Sequence, residues 1–175
     1  MAFAVRRSHV FDPVVATHVL KTVFGHGGFR GQQGDAVRAI IEGRDVLYIS
    51  ATGSGKSLVY QLPTQYLRAT SRRAERSTSL VISPLLSLME DQAMAMRAVG
   101  ISVIALHGET PNASAEWDKA MTGAYDLVFT TPESCISRLP AIQSLHRRGM
   151  LDLLAIDEAH TVSEWCVRRA VRRST

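Results

Sequence analysis

The run Thr52-Gly53-Ser54-Gly55-Lys56-Ser57 places two glycines, three hydroxyls and one ammonium within six residues. Glycines let a backbone curl so that successive N–H groups, and the start of a following helix, point at one anion. In such a loop Lys56 would reach the β and γ phosphates of a nucleoside triphosphate, and the Ser57 hydroxyl would hold a bridging magnesium ion. Lys21, Lys56 and Lys119 are the only lysines in a chain whose other basic residues are arginine. The longer pattern Gly-x-x-x-x-Gly-Lys-Ser fails at its first position, which is Ser50. A flexible Gly/Ser turn between a strand and a helix is the competing reading.

The second chemical feature lies about a hundred residues on, where the apolar run Leu151 to Ile156 ends in Asp157-Glu158-Ala159-His160. A carboxylate at the end of a buried strand is costly unless a cation compensates it, and magnesium would do so. Asp157 would bind the ion through water, Glu158 would orient and polarise the attacking water, and His160 would couple nucleotide state to a neighbouring surface. An exposed helix start is the plain alternative for this tetrapeptide.

The elements that must position these groups follow from periodicity. Asp12-Pro13 predicts the start of a short helix ending near Gly25, and Ala36, Ile40 and Ile41 a second helix closed by Gly43. Asp45 to Ser50 predicts a strand buried on both faces, leading into the glycine loop and a helix over 58–67. Strands at 80–82, 101–106, 126–129 and 151–156 alternate with helices at 85–99, 112–121 and 132–139. That alternation implies parallel crossovers and an α/β sandwich, with the Arg-rich stretch from 68 to 79 as a surface loop.

A chain of 175 residues suits one domain with a buried core. No apolar run approaches the ~20 residues of a membrane-spanning helix, and the first ten residues lack a secretory core, so the expected place is the cytoplasm and the expected partners exclude a membrane. Cys135 and Cys166 stand apart from other thiols and signal no zinc site. The net charge of +4 equals the contribution of Arg168, Arg169, Arg172 and Arg173, all in the last eight residues. Charge is therefore weak evidence for nucleic-acid binding, and the motifs must carry that reading.

Those motifs resemble a family. Phe24-Gly25-His26-Gly27-Gly28-Phe29-Arg30-Gly31-Gln32-Gln33, Gly43-Arg44-Asp45, Lys56 to Pro63, Val81 to Gln92, Thr131-Pro132-Glu133 and Ala155 to Trp165 follow, in order, the amino-terminal motor domain of RecQ-like DNA helicases of the Asp-Glu-Ala-His variety. The resemblance implies a RecA-like P-loop fold with a mainly parallel sheet between helices, and an ATP-dependent 3′-to-5′ helicase of recombination and repair, in bacteria a protein of the cytoplasm and nucleoid. It also implies ATP and Mg2+ as ligands, and single-stranded or duplex DNA bound without sequence preference. Arg30 and Gln33 would meet the adenine edge, with His26 standing where the family usually has tyrosine. Ser83, Pro84, Thr131, Pro132 and Trp165 would lie along DNA.

The similarity divides the chain into a helical lead-in at 1–23, a partial domain at 24–165 and an Arg-rich tail at 166–175 that departs from the family after Trp165. The departure suggests a frameshifted or misjoined end. In the family a further strand follows the acidic box and inserts between the phosphate-loop strand and the acidic-box strand. Its loss is expected to leave the sheet incomplete at its C-terminal end, two strands without a shared neighbour and the chain poorly stable. Without a second motor domain the chain is expected not to unwind DNA alone, and two readings stand beside the helicase: an inactive nucleotide-binding remnant or regulatory module, and a P-loop kinase for a small molecule.

Overall fold

A computed structural model describes residues 2–5, 9–51, 53–70 and 76–158. Thr52, His160, Trp165 and the tail at 166–175 lie outside the described residues. The chain opens with β1 (Ala2–Val5), α1 (Pro13–Thr22), α2 (Gln33–Ile41), β2 (Val46–Leu47) and α3 (Leu58–Thr70). It continues through β3 (Thr78–Ile82), α4 (Leu86–Ala98), β4 (Val103–Leu106), α5 (Ala113–Ala120), β5 (Leu127–Thr130), α6 (Pro132–Ser137), α7 (Leu139–Arg147) and β6 (Leu151–Ile156).

Local chemistry explains the helix starts. The Asp12 carboxylate accepts from the N–H groups of Val14 and Val15 at 2.8 and 3.4 Å, and Pro13 fills the first turn, where no N–H is needed. Thr131 and Pro132 repeat the device at α6, with the Thr131 hydroxyl accepting from the Ser134 N–H at 3.2 Å. The sequence reading ran one helix through this region; α7 is a second, started by Pro140 and carrying Ile142 and Leu145 into the core.

The described strands form one sheet in the order β2-β1-β6-β3-β5-β4. β6, β3, β5 and β4 run parallel, as strand-helix alternation requires. Alternate side chains serve opposite faces. Val81, Phe129, Leu153 and Ala155 pack against α2, α3 and α4, whereas Leu80, Val128 and Leu154 pack against α5, α6 and α7. A third cluster joins α1 to α2 and α3 through Leu20, Val37, Ile41, Leu62 and Tyr66. The result is helix, sheet and helix in three layers.

Two expectations need correction. The strand expected over 45–50 shrinks to Val46–Leu47 and is not buried on both faces: it ends the sheet, so Leu47 and Ile49 are 68% and 81% exposed. The slot expected to stand open between the phosphate-loop strand and the acidic-box strand is filled. β1 runs antiparallel to both neighbours, pairing Ala2 and Phe3 with Leu47 and Val46, and Ala2 to Val5 with Ile156 back to Leu153. β6 therefore has a backbone partner on each side, which removes the unpaired central edge behind the expected instability. Four residues followed by two arginines carry too short a pattern to have been read as a strand.

Phe129 is 1% exposed, with its ring edge-on to Tyr60 at a centroid distance of 6.1 Å, so it ties β5 to the helix behind the glycine loop. Phe129→Ala is expected to cost about 3–5 kcal/mol through lost burial and a cavity. Urea denaturation of the two proteins measures this, and a change below about 1 kcal/mol would refute the packing described.

Candidate active site

The register draws one straight line across the sheet. Leu47 faces Ala2, Ala2 faces Ile156, Ile156 faces Ile82, Ile82 faces Thr130 and Thr130 faces Leu106. Beyond this line β2 enters the glycine loop, and the next residues of β6, β3, β5 and β4 are Asp157, Ser83, Thr131 and His107. Neighbouring strands stand ~4.8 Å apart, so groups distant in sequence arrive in a row along one edge. Backbone bonds continue the ladder past the strand ends, Asp157 N–H to Ile82 O at 2.8 Å and Ser83 N–H to Thr130 O at 3.0 Å.

The glycine loop has the backbone its sequence implied. Gly53 and Gly55 hold φ of +76° and +79°, where side chains are strained, and a Cβ on Gly55 would stand 2.8 Å from Gln33 Nε2. The Lys56 ammonium lies over its own loop, donating to the carbonyls of Ser50 and Ala51 at 3.2 Å each. The chain then turns into α3 through bonds from Leu58 N–H to Gly55 O and Val59 N–H to Lys56 O. Ser57 therefore stands at the mouth of a helix thirteen residues long, the end at which an anion is favoured.

Gln33 braces this loop from α2. Its Nε2 donates to the carbonyls of Ser54 and Gly55 at 3.0 and 3.1 Å, and its Oε1 accepts the Arg30 N–H at 2.8 Å. The side chain is buried, with both its polar ends engaged, so in this structure it holds the loop rather than presenting an edge to a base. Arg30 is exposed beside it.

Across the edge, Asp157 is 4% exposed and has no ion-pair partner among the described residues. Burial raises its carboxyl above the usual range; the Glu158 N–H, at 2.8 Å, works against that shift and so does the charge of Lys56, while the Glu158 carboxylate adds to it. Lys56 and Asp157 thus feel one another although 101 residues separate them. Glu158 has φ of +48°, a strained conformation for a residue with a side chain, and it lies beside the buried acid.

Sequence reasoning passed over Tyr60. Its buried hydroxyl senses the Asp157 charge; desolvation foremost, then that charge, push its pKa up, and neighbouring Ser57 works against the shift. The signal was present, because Tyr60 lies one turn into the helix that follows Ser57. Gln61 was also missed: its Nε2 donates to Gln92 Oε1 at 2.6 Å and links α3 to α4. The expected DNA contacts Ser83, Pro84, Thr131 and Pro132 do gather at the edge. Ser83 is 2% exposed with an Oγ that has no hydrogen-bond partner among the described residues, and the Thr131 hydroxyl is engaged in capping α6.

Curled glycines, a helix start, an ammonium and a buried acid lacking a cation fit a triphosphate and a divalent ion together. Ser57 and Asp157 are the residues that would hold the metal, which would supply charge neutralisation between phosphates.

Comparison with known proteins agrees. The sequence model described as DEAD/DEAH box helicase matches residues 30–174. The chain is 37% identical over 155 residues to the ATP-dependent helicase wrn-1 of Caenorhabditis elegans, covering 87% of this chain and 14% of that protein. It is 39% identical over 157 residues to the ATP-dependent DNA helicase Q-like 2 of Arabidopsis thaliana (86% and 21%), and 34% identical over 160 residues to the ATP-dependent DNA helicase RecQ of Haemophilus influenzae (90% and 24%). The chain thus spans a quarter or less of these relatives' length. Among solved structures, a hypothetical ATP-dependent RNA helicase from Sulfolobus tokodaii superposes with a TM-score of 0.59 at 21% identity, covering 91% of this chain and 45% of that one. The DUF1998 helicase MrfA bound to DNA gives 0.60 at 20% identity (83% and 21%), and both speak for the fold alone.

The buried acid makes a prediction with a definite sign. Because the folded state raises the Asp157 pKa, the stability it contributes is complete below the unfolded carboxylate range and is lost as pH rises through the folded value. Asp157→Asn keeps the acceptor for the Glu158 N–H and drops the charge. It is expected to raise the thermal midpoint of the ligand-free protein by a few degrees at neutral pH, a gain that fades on acidification. Thermal melts at several pH values test this, and a lower midpoint at neutral pH contradicts it. Gln33→Ala removes three bonds at the loop and is expected to weaken nucleotide binding about tenfold in a titration, whereas unchanged affinity would show the brace to be dispensable.

Proposed function

The chain belongs to the DEAD/DEAH box helicase family, and from that premise we propose that it is the nucleotide-binding domain of a RecQ-type, ATP-dependent 3′-to-5′ DNA helicase motor. The observation that carries the reading is the single edge on which the Lys56 loop, Asp157 and Glu158 meet. Lys56 and the amides of residues 53–57 hold the phosphates, and Ser57 and Asp157 hold Mg2+, which shields the phosphate charge. Glu158 orients water for in-line attack and accepts its proton. Arg30 faces the adenine, and Gln33 beside it braces the loop that holds the phosphates. Thr52, His160 and Trp165 belong to the same reading, as phosphate, coupling and DNA residues.

Ser83-Pro84 and Thr131-Pro132 form the adjoining strip for single-stranded DNA, held through phosphate and sugar without sequence preference. The strip starts one strand from Asp157, which is the distance over which strand binding can bias the acid and its water. The relatives are several times as long, so translocation and unwinding are assigned to a full-length motor working in the cytoplasm on DNA, not to these 175 residues.

The test is ATP hydrolysis with and without single-stranded DNA. Lys56→Ala is expected to lose nucleotide affinity and turnover together. Glu158→Gln is expected to keep affinity and lose turnover by about 10²-fold or more. Binding without turnover in the unaltered protein points to a nucleotide-binding module, and failure to bind Mg·ATP at all defeats the proposal.

A further inference from the structure

α3 is buried along most of its length, so its polar side chains do best with partners, and three on one side, at i, i+3 and i+7, have them. The Thr64 hydroxyl donates to Ser79 Oγ of β3 at 2.9 Å, and Arg68 pairs with Asp126, the residue before β5. These two contacts hold the later half of α3 against β3 and the start of β5. Gln61, nearest the glycine loop, reaches sideways instead: its Nε2 donates to Gln92 Oε1 of α4 at 2.6 Å. Its own N–H donates to the Ser57 carbonyl at 3.1 Å, so it stands one turn behind a residue that would hold the metal. α4 carries the contact toward another segment of the edge, because it starts three residues after Ser83. Leu85, at its cap position, satisfies none of the first N–H groups with its side chain. Met89, Ala93 and Met96 bury one side of α4, but apolar contacts are non-directional, and hydrogen bonds set where the helix stands along its axis. Arg97 Nε donates to the Val103 carbonyl at 3.2 Å, His107 Nε2 meets Glu90 Oε1 at 3.0 Å, and Gln92 takes Gln61 between them. Of these three bonds, that of Gln92 leads to the glycine-loop helix.

We infer that Gln61 and Gln92 form a positioning clasp that couples occupancy of the glycine loop to the Ser83-Pro84 segment, so that Mg·ATP and single-stranded DNA strengthen one another's binding. The inference rests on the functional reading above. A nucleotide that draws Lys56 off the Ser50 and Ala51 carbonyls and fixes Ser57 also fixes the first turn of α3. Gln61 passes that constraint to α4, and an α4 already held in place loses less freedom when a DNA phosphate binds at its start. One bond between neutral amides transmits a modest coupling, at the low end of the usual range of about 5–150-fold.

The experiment measures binding of a fluorescent oligothymidylate, with and without saturating Mg·AMP-PNP, by the unaltered chain and by Gln61→Met, Gln92→Met, the double variant and Gln92→Glu. Methionine keeps the length of the side chain and removes the bond, whereas glutamate keeps an acceptor for Gln61 Nε2. The unaltered chain is expected to bind the strand about fivefold more tightly with nucleotide, and by linkage the nucleotide about fivefold more tightly with the strand. Each methionine variant is expected to bring both factors within about twofold of one, while affinity for either ligand alone stays within about twofold; Gln92→Glu keeps the coupling. Coupling that survives in the methionine variants or disappears in Gln92→Glu as well, or single-ligand affinities that fall in parallel, overturns the clasp. Amide exchange of the unaltered chain needs no variant to fold: nucleotide is expected to slow exchange in the first two turns of α4, and unchanged exchange there also overturns the clasp. A chain that binds no Mg·AMP-PNP sinks the functional reading, and one that binds nucleotide but no oligothymidylate sinks the DNA strip and the clasp with it. A chain that binds both ligands independently sinks this inference alone.

Discussion

The cross-sheet register is the constraint on which the site depends. Strands ending on one line from Leu47 to Leu106 deliver the glycine loop, the Asp157-Glu158 pair and the segments at Ser83-Pro84 and Thr131-Pro132 to the same edge. A strand is a ruler of fixed pitch, so a displaced register would shift whole groups rather than distort them. What holds the register is burial. Val81, Phe129, Leu153 and Ala155 face one helical layer and Leu80 and Val128 the other, and a one-residue slip would turn each set over.

The site is built at a cost to the fold. Asp157 is buried with no ion-pair partner among the described residues, Glu158 sits in a strained conformation, and the Lys56 ammonium lies on the carbonyls of its own loop. Under the proposed function a metal-nucleotide complex would neutralise the acid and engage the lysine, which would couple occupancy of the pocket to its stability.

The elements behind the edge link the parts. Gln33 ties α2 to the glycine loop, Tyr60 senses the charge of Asp157 from α3, and Phe129 supports Tyr60 from β5. Gln61 and Gln92 join the phosphate-loop helix to α4, which begins just after Ser83 and Pro84. The helix behind the glycine loop and the segment at Ser83-Pro84 are thus linked through side chains that bridge α3 and α4.

The sequence by itself determined the chemistry and the alternation of elements. Glycine at 53 and 55, Lys56, Ser57 and the acids after an apolar run are local signals, because backbone freedom and charge belong to single residues. The cap at Asp12 was legible for the same reason. Tertiary structure alone decided what lies between the phosphate-loop strand and the acidic-box strand. Ala2–Val5 is too short to declare itself, and only the open backbone edges of β2 and β6 give it a place. It likewise decided that the phosphate-loop strand lies at the edge, leaving Leu47 and Ile49 exposed, since an apolar run has the same composition whether one neighbour or two stand beside it. Gln33 and Tyr60 acquired their roles from groups more than twenty residues away or across the sheet, where hydrogen bonds and fields act through space and leave no pattern along the chain.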